Sequence, residues 1–144
     1  MSAMSDYLEN KLVDQLFRGQ SAPTTTTLYV ALLTAAPSDS GGGTEVAGGS
    51  YARVAVTSSL ANWAGTQSSG STTASSGTGG QTSNNGAITF PTPSAGWGTV
   101  THFGIYDAAS GGNLLFWGSL TIAKTINQAD TVTFPAASLS ITFA

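Results

Sequence analysis

The sequence predicts a mainly β protein, an antiparallel β-sandwich or jelly roll with one amphipathic helix at its N-terminus. Apolar residues follow a helical spacing only near the start of the chain. After residue 23, short apolar or alternating runs are separated by turns rich in Gly, Pro, Asn and Asp, which is typical of strands. Because no helical crossover lies between these runs, the strands must pair mainly antiparallel. With 144 residues, we expect residues 1–22 to form the helix and a connector, and residues 23–144 to form one β domain.

The predicted helix carries one apolar stripe. Its members recur at helical spacing and are Leu8, Leu12, Val13, Leu16 and Phe17. Asp6 with Glu9 three residues later is typical of a capping box, and Gly19 indicates the C-terminal end. A helix of about three turns is marginal alone. We therefore expect the stripe to dock either on this domain's own sheet or on a neighbouring subunit.

The strands are predicted from shorter patterns. Residues 24–34 contain a nearly continuous apolar run, as expected for a strand buried on both faces, and residues 51–57 alternate. Residues 99–106 and 113–122 flank the turn 107–112 and predict a hairpin. Further short strands are predicted at 87–90, 131–134 and 139–143. Seven or eight strands result, joined in part by a long loop, residues 35–50.

Residues 66–86 form a low-complexity stretch whose only hydrophobic residue is Ala74. Such a segment has too little apolar surface to build a core. Long loops inside a compact domain tend to be functional or disordered. We expect either a flexible surface loop or an extended arm that contacts a neighbouring protein.

Charge is scarce, at 8% of residues, and the net charge is −3. The four cations are scattered along the chain, which excludes the basic footprint of a nucleic-acid-binding protein. A surface of Ser, Thr, Gly, Asn and Gln carries little self-repulsion, so association with other proteins costs little electrostatic energy. No apolar run approaches the ~18 residues of a membrane span, and the N-terminus lacks the pattern of a signal peptide. We expect synthesis in the cytoplasm and no membrane partner.

Candidate catalytic and metal-binding groups are few. His102 is the only histidine, and no Gly-x-Ser-x-Gly motif accompanies it, so a sheet-face or interface residue is favoured over a catalytic one. On a regular strand it would share a face with Val100, Gly104 and Tyr106. Two carboxylates in the Gly-rich loop 39–45 indicate a turn more than a calcium site. There is no cysteine. We predict no catalytic, cofactor or metal site.

The tryptophans leave an alternative open. Trp117 lies in an apolar run and is predicted to be core, whereas Trp63 and Trp97 stand beside small or polar residues. Large aromatic residues in such positions cap a core, anchor a subunit interface or stack on sugars. A carbohydrate-binding module is therefore one alternative function.

Three groups of segments carry a family resemblance. They are residues 7–13, residues 28–37 with 43–53, and residues 96–107 with 112–117. Together they resemble a family of small virion proteins encoded by tailed bacteriophages and prophages, commonly labelled tail-fibre-like. The resemblance covers most of the chain except residues 66–86. It implies a non-enzymatic structural protein, made in the cytoplasm of the bacterial host and placed on the outer surface of the head or tail.

Within that resemblance, the compact β domain favours a capsid decoration (cement) protein, a homotrimer that bridges major capsid protein subunits. The alternative is a tail-associated protein, such as a fibre-base or receptor-proximal domain, with tail proteins as partners. Tyr51, Arg53, Trp63 and Trp97 are the candidate interface residues, together with residues 66–86. Arg53 is expected to be exposed, either pairing with an acidic protein surface or solvated.

Overall fold

The computed structural model describes residues 2–22 and 24–143 and confirms the mainly antiparallel β fold. In that part of the chain there are ten strands and one helix. In chain order they are β1 (Ser2–Met4), α1 (Asp6–Arg18), β2 (Thr27–Ala35), β3 (Thr44–Glu45), β4 (Val54–Thr57), β5 (Gln81–Ser83), β6 (Ile88–Thr89), β7 (Gly98–Tyr106), β8 (Leu114–Ile126), β9 (Thr133–Phe134) and β10 (Ser140–Thr142). The sequence patterns did not indicate β1, β3 or β5.

A six-stranded sheet forms the centre of the domain. Its order is β1-β8-β7-β2-β3, and β4 also pairs with β2. The predicted hairpin is present as β7 and β8, joined across residues 107–112. Residues 30–33 of β2 are buried on both faces, as their continuous apolar run indicates.

Two small ribbons, β5 with β10 and β6 with β9, make the second layer. Apolar side chains of the ribbons and their flanking segments, including Phe90 and Leu139, join one buried cluster with Val30, Phe103 and Ile105 of the large sheet. The arrangement is therefore sandwich-like, with two short ribbons in place of a second full sheet. The other face of the large sheet carries a smaller cluster.

A large irregularity interrupts the pairing of β7 with β8, and it is called the bulge below. Val100 pairs with Lys124 and His102 pairs with Ser119, so four residues of β8, 120–123, lie opposite Thr101 alone. Across the bulge, Val100 packs in the main core cluster, so the prediction that it shares a face with His102 is wrong. His102 lies beside Trp117, which pairs with Gly104 and packs against the cluster of Tyr106, in agreement with the rest of the predicted face.

The helix α1 is attached to the domain only by its first turns. Its N-cap is Ser5, one residue before the predicted Asp6, and Gly19 ends it in the left-handed conformation, as predicted. Tyr7 and Leu8 pack against the main core, yet no residue of α1 is buried. Most of the predicted stripe therefore faces solvent. Within the described residues, the structure has no helix with the length and hydropathy that a membrane crossing requires.

The polar stretch 66–86 folds back on the domain. The Gln67 amide donates hydrogen bonds to Ser71, Thr73 and the carbonyl of Ala74, which closes a compact loop. The end of the stretch forms β5 and continues into the buried residue Asn84.

Candidate functional site

Three of the four candidate interface residues meet along one edge of the sheet. Tyr51 and Arg53 lie just before β4 rather than on a strand, and Trp97 lies just before β7. The ring of Tyr51 meets the edge of the Trp97 ring at 5.3 Å between centroids and stacks on Phe90 at 6.2 Å. Trp63 is not part of this group.

Tyr51 fills a gap in the pairing of β2. β4 pairs with Thr27–Val30 and β3 pairs beyond that point, from Leu33. Between them, the Leu32 N–H donates to the Tyr51 hydroxyl at 3.0 Å, and the Leu32 carbonyl accepts from the Val46 N–H at 3.0 Å. The side chain thus replaces the missing strand and satisfies a backbone group that would otherwise be buried without a partner.

Arg53 is held inside the protein, which corrects the expectation of an exposed cation. Its Nε and Nη2 donate to both carboxylate oxygens of Glu45 at 2.8 and 2.7 Å, in a bidentate ion pair. Its Nη1 donates to the carbonyls of Ala108 and Gly111 at 2.8 and 2.9 Å. The guanidinium also lies 3.7 Å from the ring centre of Tyr106, and the side chain is 6% exposed. Arg53 therefore ties three segments together.

The electrostatics of this cluster keep Glu45 and Arg53 ionised. Burial alone would raise the pKa of Glu45, but the hydrogen bonds from Arg53 and Tyr51 and the charge of Arg53 outweigh it and lower that pKa. Burial raises the pKa of Tyr51 and of Tyr106, so both phenols stay neutral. The pKa of Arg53 is raised: burial opposes this, and the contacts with Glu45 outweigh the burial.

Trp97 is buried, at 5% exposed, and donates from Nε1 to the carbonyl of Gly49 at 2.9 Å. Gly49 has φ +55°, and a Cβ there would lie 2.8 Å from the carbonyl oxygen of Ala95, so only glycine fits this close approach. A ring so enclosed offers no open face for stacking a sugar. This removes Trp97 from the carbohydrate alternative.

Trp63 lies apart, beside the second layer. It is partly buried against the main core, and its backbone forms an isolated bridge with Asn84. Its Nε1 is buried and has no hydrogen-bond partner within the described residues. The structure therefore brings together Tyr51, Arg53 and Trp97 but not Trp63.

Sequence reasoning missed two residues that organise these regions. From the sequence, Glu45 is one of two acids in a Gly-rich loop, and Asn84 lies in a polar stretch predicted to form no core. Asn84 is 1% exposed; its Nδ2 donates to the carbonyls of Gly86 and Pro135 at 2.8 and 2.9 Å, and its Oδ1 accepts from the Leu139 N–H at 2.9 Å. The one available signal was its place directly before a predicted strand in a Ser-Asn-Asn-Gly turn pattern.

The described residues contain no arrangement that points to catalysis. In residues 2–22 and 24–143, no three His, Asp or Glu side chains are grouped to hold a metal ion. His102 shares a hydrogen bond of 2.8 Å between Nδ1 and the Thr101 hydroxyl, and its ring centre lies 6.1 Å from that of Trp117. In the same part of the chain it forms no ion pair with a carboxylate. The cluster at the sheet edge links the segment at Glu45, the turn 107–112 and the loop at Gly49 through side-chain hydrogen bonds.

Comparison with known proteins relates this chain to one protein family. The model of the protein family described as "Podophage GP4 fiber I protein gp80" matches residues 3–142, nearly the whole chain. None of the curated proteins compared matches the chain.

Proposed function

We propose that the chain works in the tail-fibre apparatus of a phage, from the premise that it belongs to the family of the podophage fibre I protein gp80. The single observation that carries the proposal is the match over residues 3–142, which includes β2 to β10 and the polar stretch 66–86. Membership makes the chain a virion structural protein of a tailed phage. The tail location and the exact role are the proposal.

The fibre family favours the tail over the head. A capsid decoration role rests on the shape of the domain, whereas the tail role rests on the relationship. The chain has no repeat from which a shaft could be built. We therefore propose a compact fibre domain, at the base or at the receptor-proximal end, that acts by contact and not by catalysis.

In this proposal, two of the candidate interface residues support the contact surface from inside the protomer. Arg53 and Trp97 are buried within the protomer, so their contribution to a contact is indirect. They hold the loop at Gly48–Gly49 and the turn 107–112 in shape, and these loops present backbone donors and acceptors to a neighbour. Tyr51 and Trp63 are partly exposed and remain predicted contact residues.

The partners in this proposal are copies of the same chain, in a homo-oligomer such as a trimer, and other tail proteins. Low charge and a polar surface allow dense packing against both. Nucleic acid is not among the proposed partners, because the four cations are scattered along the chain.

The test is the location and copy number of the chain in purified particles. Mass spectrometry against the major capsid protein gives the copy number, and gold-labelled antibody in electron microscopy gives the location. A few to a few dozen copies with label on the tail support the proposal. A ratio near one per major capsid protein with label on the head would overturn it in favour of capsid decoration, and absence from particles would overturn both.

A further inference from the structure

The C-terminal half of α1 presents an apolar surface that is exposed among the residues the structure describes. Val13 is 49%, Leu16 71% and Phe17 82% exposed. The three lie on one face, because residues three and four apart are neighbours on a helix. An isolated helix of 13 residues is marginal in water, and only its first turns pack against the domain. Such a helix gains stability by laying its apolar face into a groove.

The domain has a groove of about 500 Å³, half of whose lining residues are apolar, the others being Ser, Thr and Lys124. Its walls come from β1, β2 and β7 to β10 with the segments between them, and include Leu120, Ile122, Val132, Phe134 and Leu139. The volume lies within the roughly 300–1,000 Å³ of protein ligand pockets, enough for a few apolar side chains. The bulge of β8 forms one wall and leaves Ile122 80% exposed. The groove is therefore open and partly unfilled.

The helix and the groove belong to opposite ends of the large sheet. Ser5, which starts α1, donates from its hydroxyl to the carbonyl of Leu114, at the end where β7 stops and β8 begins. The chain returns from α1 to Thr27, at that same end. The groove extends to the other end, where Gly98 pairs with Ile126. None of the described residues that line the groove belongs to α1.

We propose that the exposed half of α1 docks in the groove of a second copy of the chain. The contact is heterologous, helix of one copy to groove of the next, so it closes into a ring such as a trimer or continues as an open chain. It concerns this chain's contact with itself and holds whether the virion carries it on the tail or on the head.

Charge at the two surfaces agrees with this contact. Glu9 is exposed and lies one turn before Val13, on the same face of α1. Lys124 lines the groove, is exposed, and forms no ion pair with the residues that the structure describes. Docking would bring a carboxylate and an ammonium group to the rim of the interface, where such pairs orient the partners more than they add affinity.

The test uses three variants of the purified chain. The helix variant is Leu16→Asp with Phe17→Asp, the groove variant is Ile122→Asp, and the control is Leu60→Asp, since Leu60 is 57% exposed but belongs to neither surface. All changes are at exposed positions, so the fold should persist; circular dichroism and thermal melting check it. Sedimentation velocity from about 1 µM to about 1 mM, a range that covers weak association, gives the oligomeric state.

We expect the wild-type chain and the control to associate and the helix and groove variants to be monomeric, with association weakened at least ~100-fold, as when central interface residues are lost. Each of the two variants keeps one intact surface. An equimolar mixture of them should therefore form a one-to-one dimer that does not grow.

Three results would overturn the proposal. They are a wild-type chain that stays monomeric throughout, dissociation by only one of the two variants, as helix-to-helix packing would give, and a mixture that stays monomeric. Each outcome concerns the isolated chain, so it is independent of where the protein is found in the particle.

Discussion

The helix α1 and the interior of the β domain distribute polar and apolar groups in opposite ways. In α1, Leu16 and Phe17 extend into solvent. In the β domain, Asn84 lies in the core, and the Arg53 side chain is closed off beneath Tyr106. Large apolar side chains are thus outside, and an amide and a guanidinium are inside.

The difference shows that a side chain is buried where the fold provides groups that can bond to it or pack against it. Asn84 and Arg53 are tolerated inside because their donors meet carbonyl or carboxylate oxygens at hydrogen-bonding distance. Leu16 and Phe17, at the end of α1, stay exposed and do not line the groove of their own chain. An unmatched buried polar group costs about 1–3 kcal/mol, similar to what burial of one large apolar side chain contributes. Geometry therefore decides which group is buried.

The largest effect is expected at Asn84. Asn84→Leu keeps the number and branching of the side-chain heavy atoms but leaves the Leu139 N–H and the Gly86 carbonyl without their Asn84 partner. The Pro135 carbonyl also loses its bond from Asn84 but still accepts from Ser138. The free energy of unfolding should fall by about 3 kcal/mol, measured by chemical denaturation. Asn85→Leu is the matched control, since Asn85 is only partly buried and the hydrogen bonds from its side-chain amide are long, at 3.2 and 3.3 Å. This variant should lower the free energy of unfolding by less than about 1 kcal/mol. Equal losses in the two variants would contradict the role assigned to Asn84.

The two ion pairs of the described chain sharpen the same contrast. Arg53→Ala removes a cation 6% exposed and leaves Glu45 partly buried, so unfolding free energy should fall by about 2–3 kcal/mol. Arg18→Ala removes the exposed pair with Asp14, whose Arg side chain is 70% exposed, and should change it by less than about 0.5 kcal/mol. Denaturation of both variants in the same buffer tests this. A loss as small for Arg53 as for Arg18 would show that the enclosed pair adds nothing.

Glu45 also gives the fold a dependence on pH. Its pKa is lower in the folded state than the ordinary 4.5, so the unfolded chain binds the proton first as the pH falls. The stability that Glu45 contributes is fully present above that ordinary value and is lost as the pH falls through the folded pKa. Glu45→Gln should reduce the fall in unfolding free energy over this acidic pH range. The reduction should be smaller than the total fall in unfolding free energy that Arg53→Ala causes. An unchanged acid limb in the variant would contradict the assignment.

The smallest effect is expected on the outer face of α1. Phe17→Ser should change the unfolding free energy of the monomer by less than about 0.5 kcal/mol, because the ring is 82% exposed. Leu8→Ser, in the same helix, should cost about 1–2 kcal/mol, because Leu8 packs against the main core. The comparison is made by denaturation at low protein concentration, where no association adds to stability. A larger loss for Phe17 than for Leu8 would mean that α1 packs differently in the monomer.

Local patterns predicted the elements whose interactions lie close in sequence. The stripe and Gly19 located α1, and turn 107–112 located the β7–β8 hairpin, because a helix and a hairpin are set by neighbouring residues. β1 and β5 were missed because each is a three-residue strand that exists only through a distant partner, near Trp117 for β1 and near Ile141 for β5. The predicted exposure of Arg53 was wrong for the same reason: its partner Glu45 and the carbonyls of the 107–112 turn come from other segments.

Four properties follow from the amino-acid sequence alone: the mainly antiparallel β class, the helix with its C-terminal stop, the scarcity of charge and the resemblance to phage virion proteins. These depend on composition, on periodicity and on residues adjacent in the chain. Three further properties require the fold: the burial of Asn84 and of the Arg53 side chain, the hydrogen bond from the Leu32 N–H to the Tyr51 hydroxyl, and the exposure of the end of α1. Whether a polar or apolar side chain is buried depends on which groups from distant parts of the chain contact it in the folded state. A local sequence pattern contains no information about those contacts.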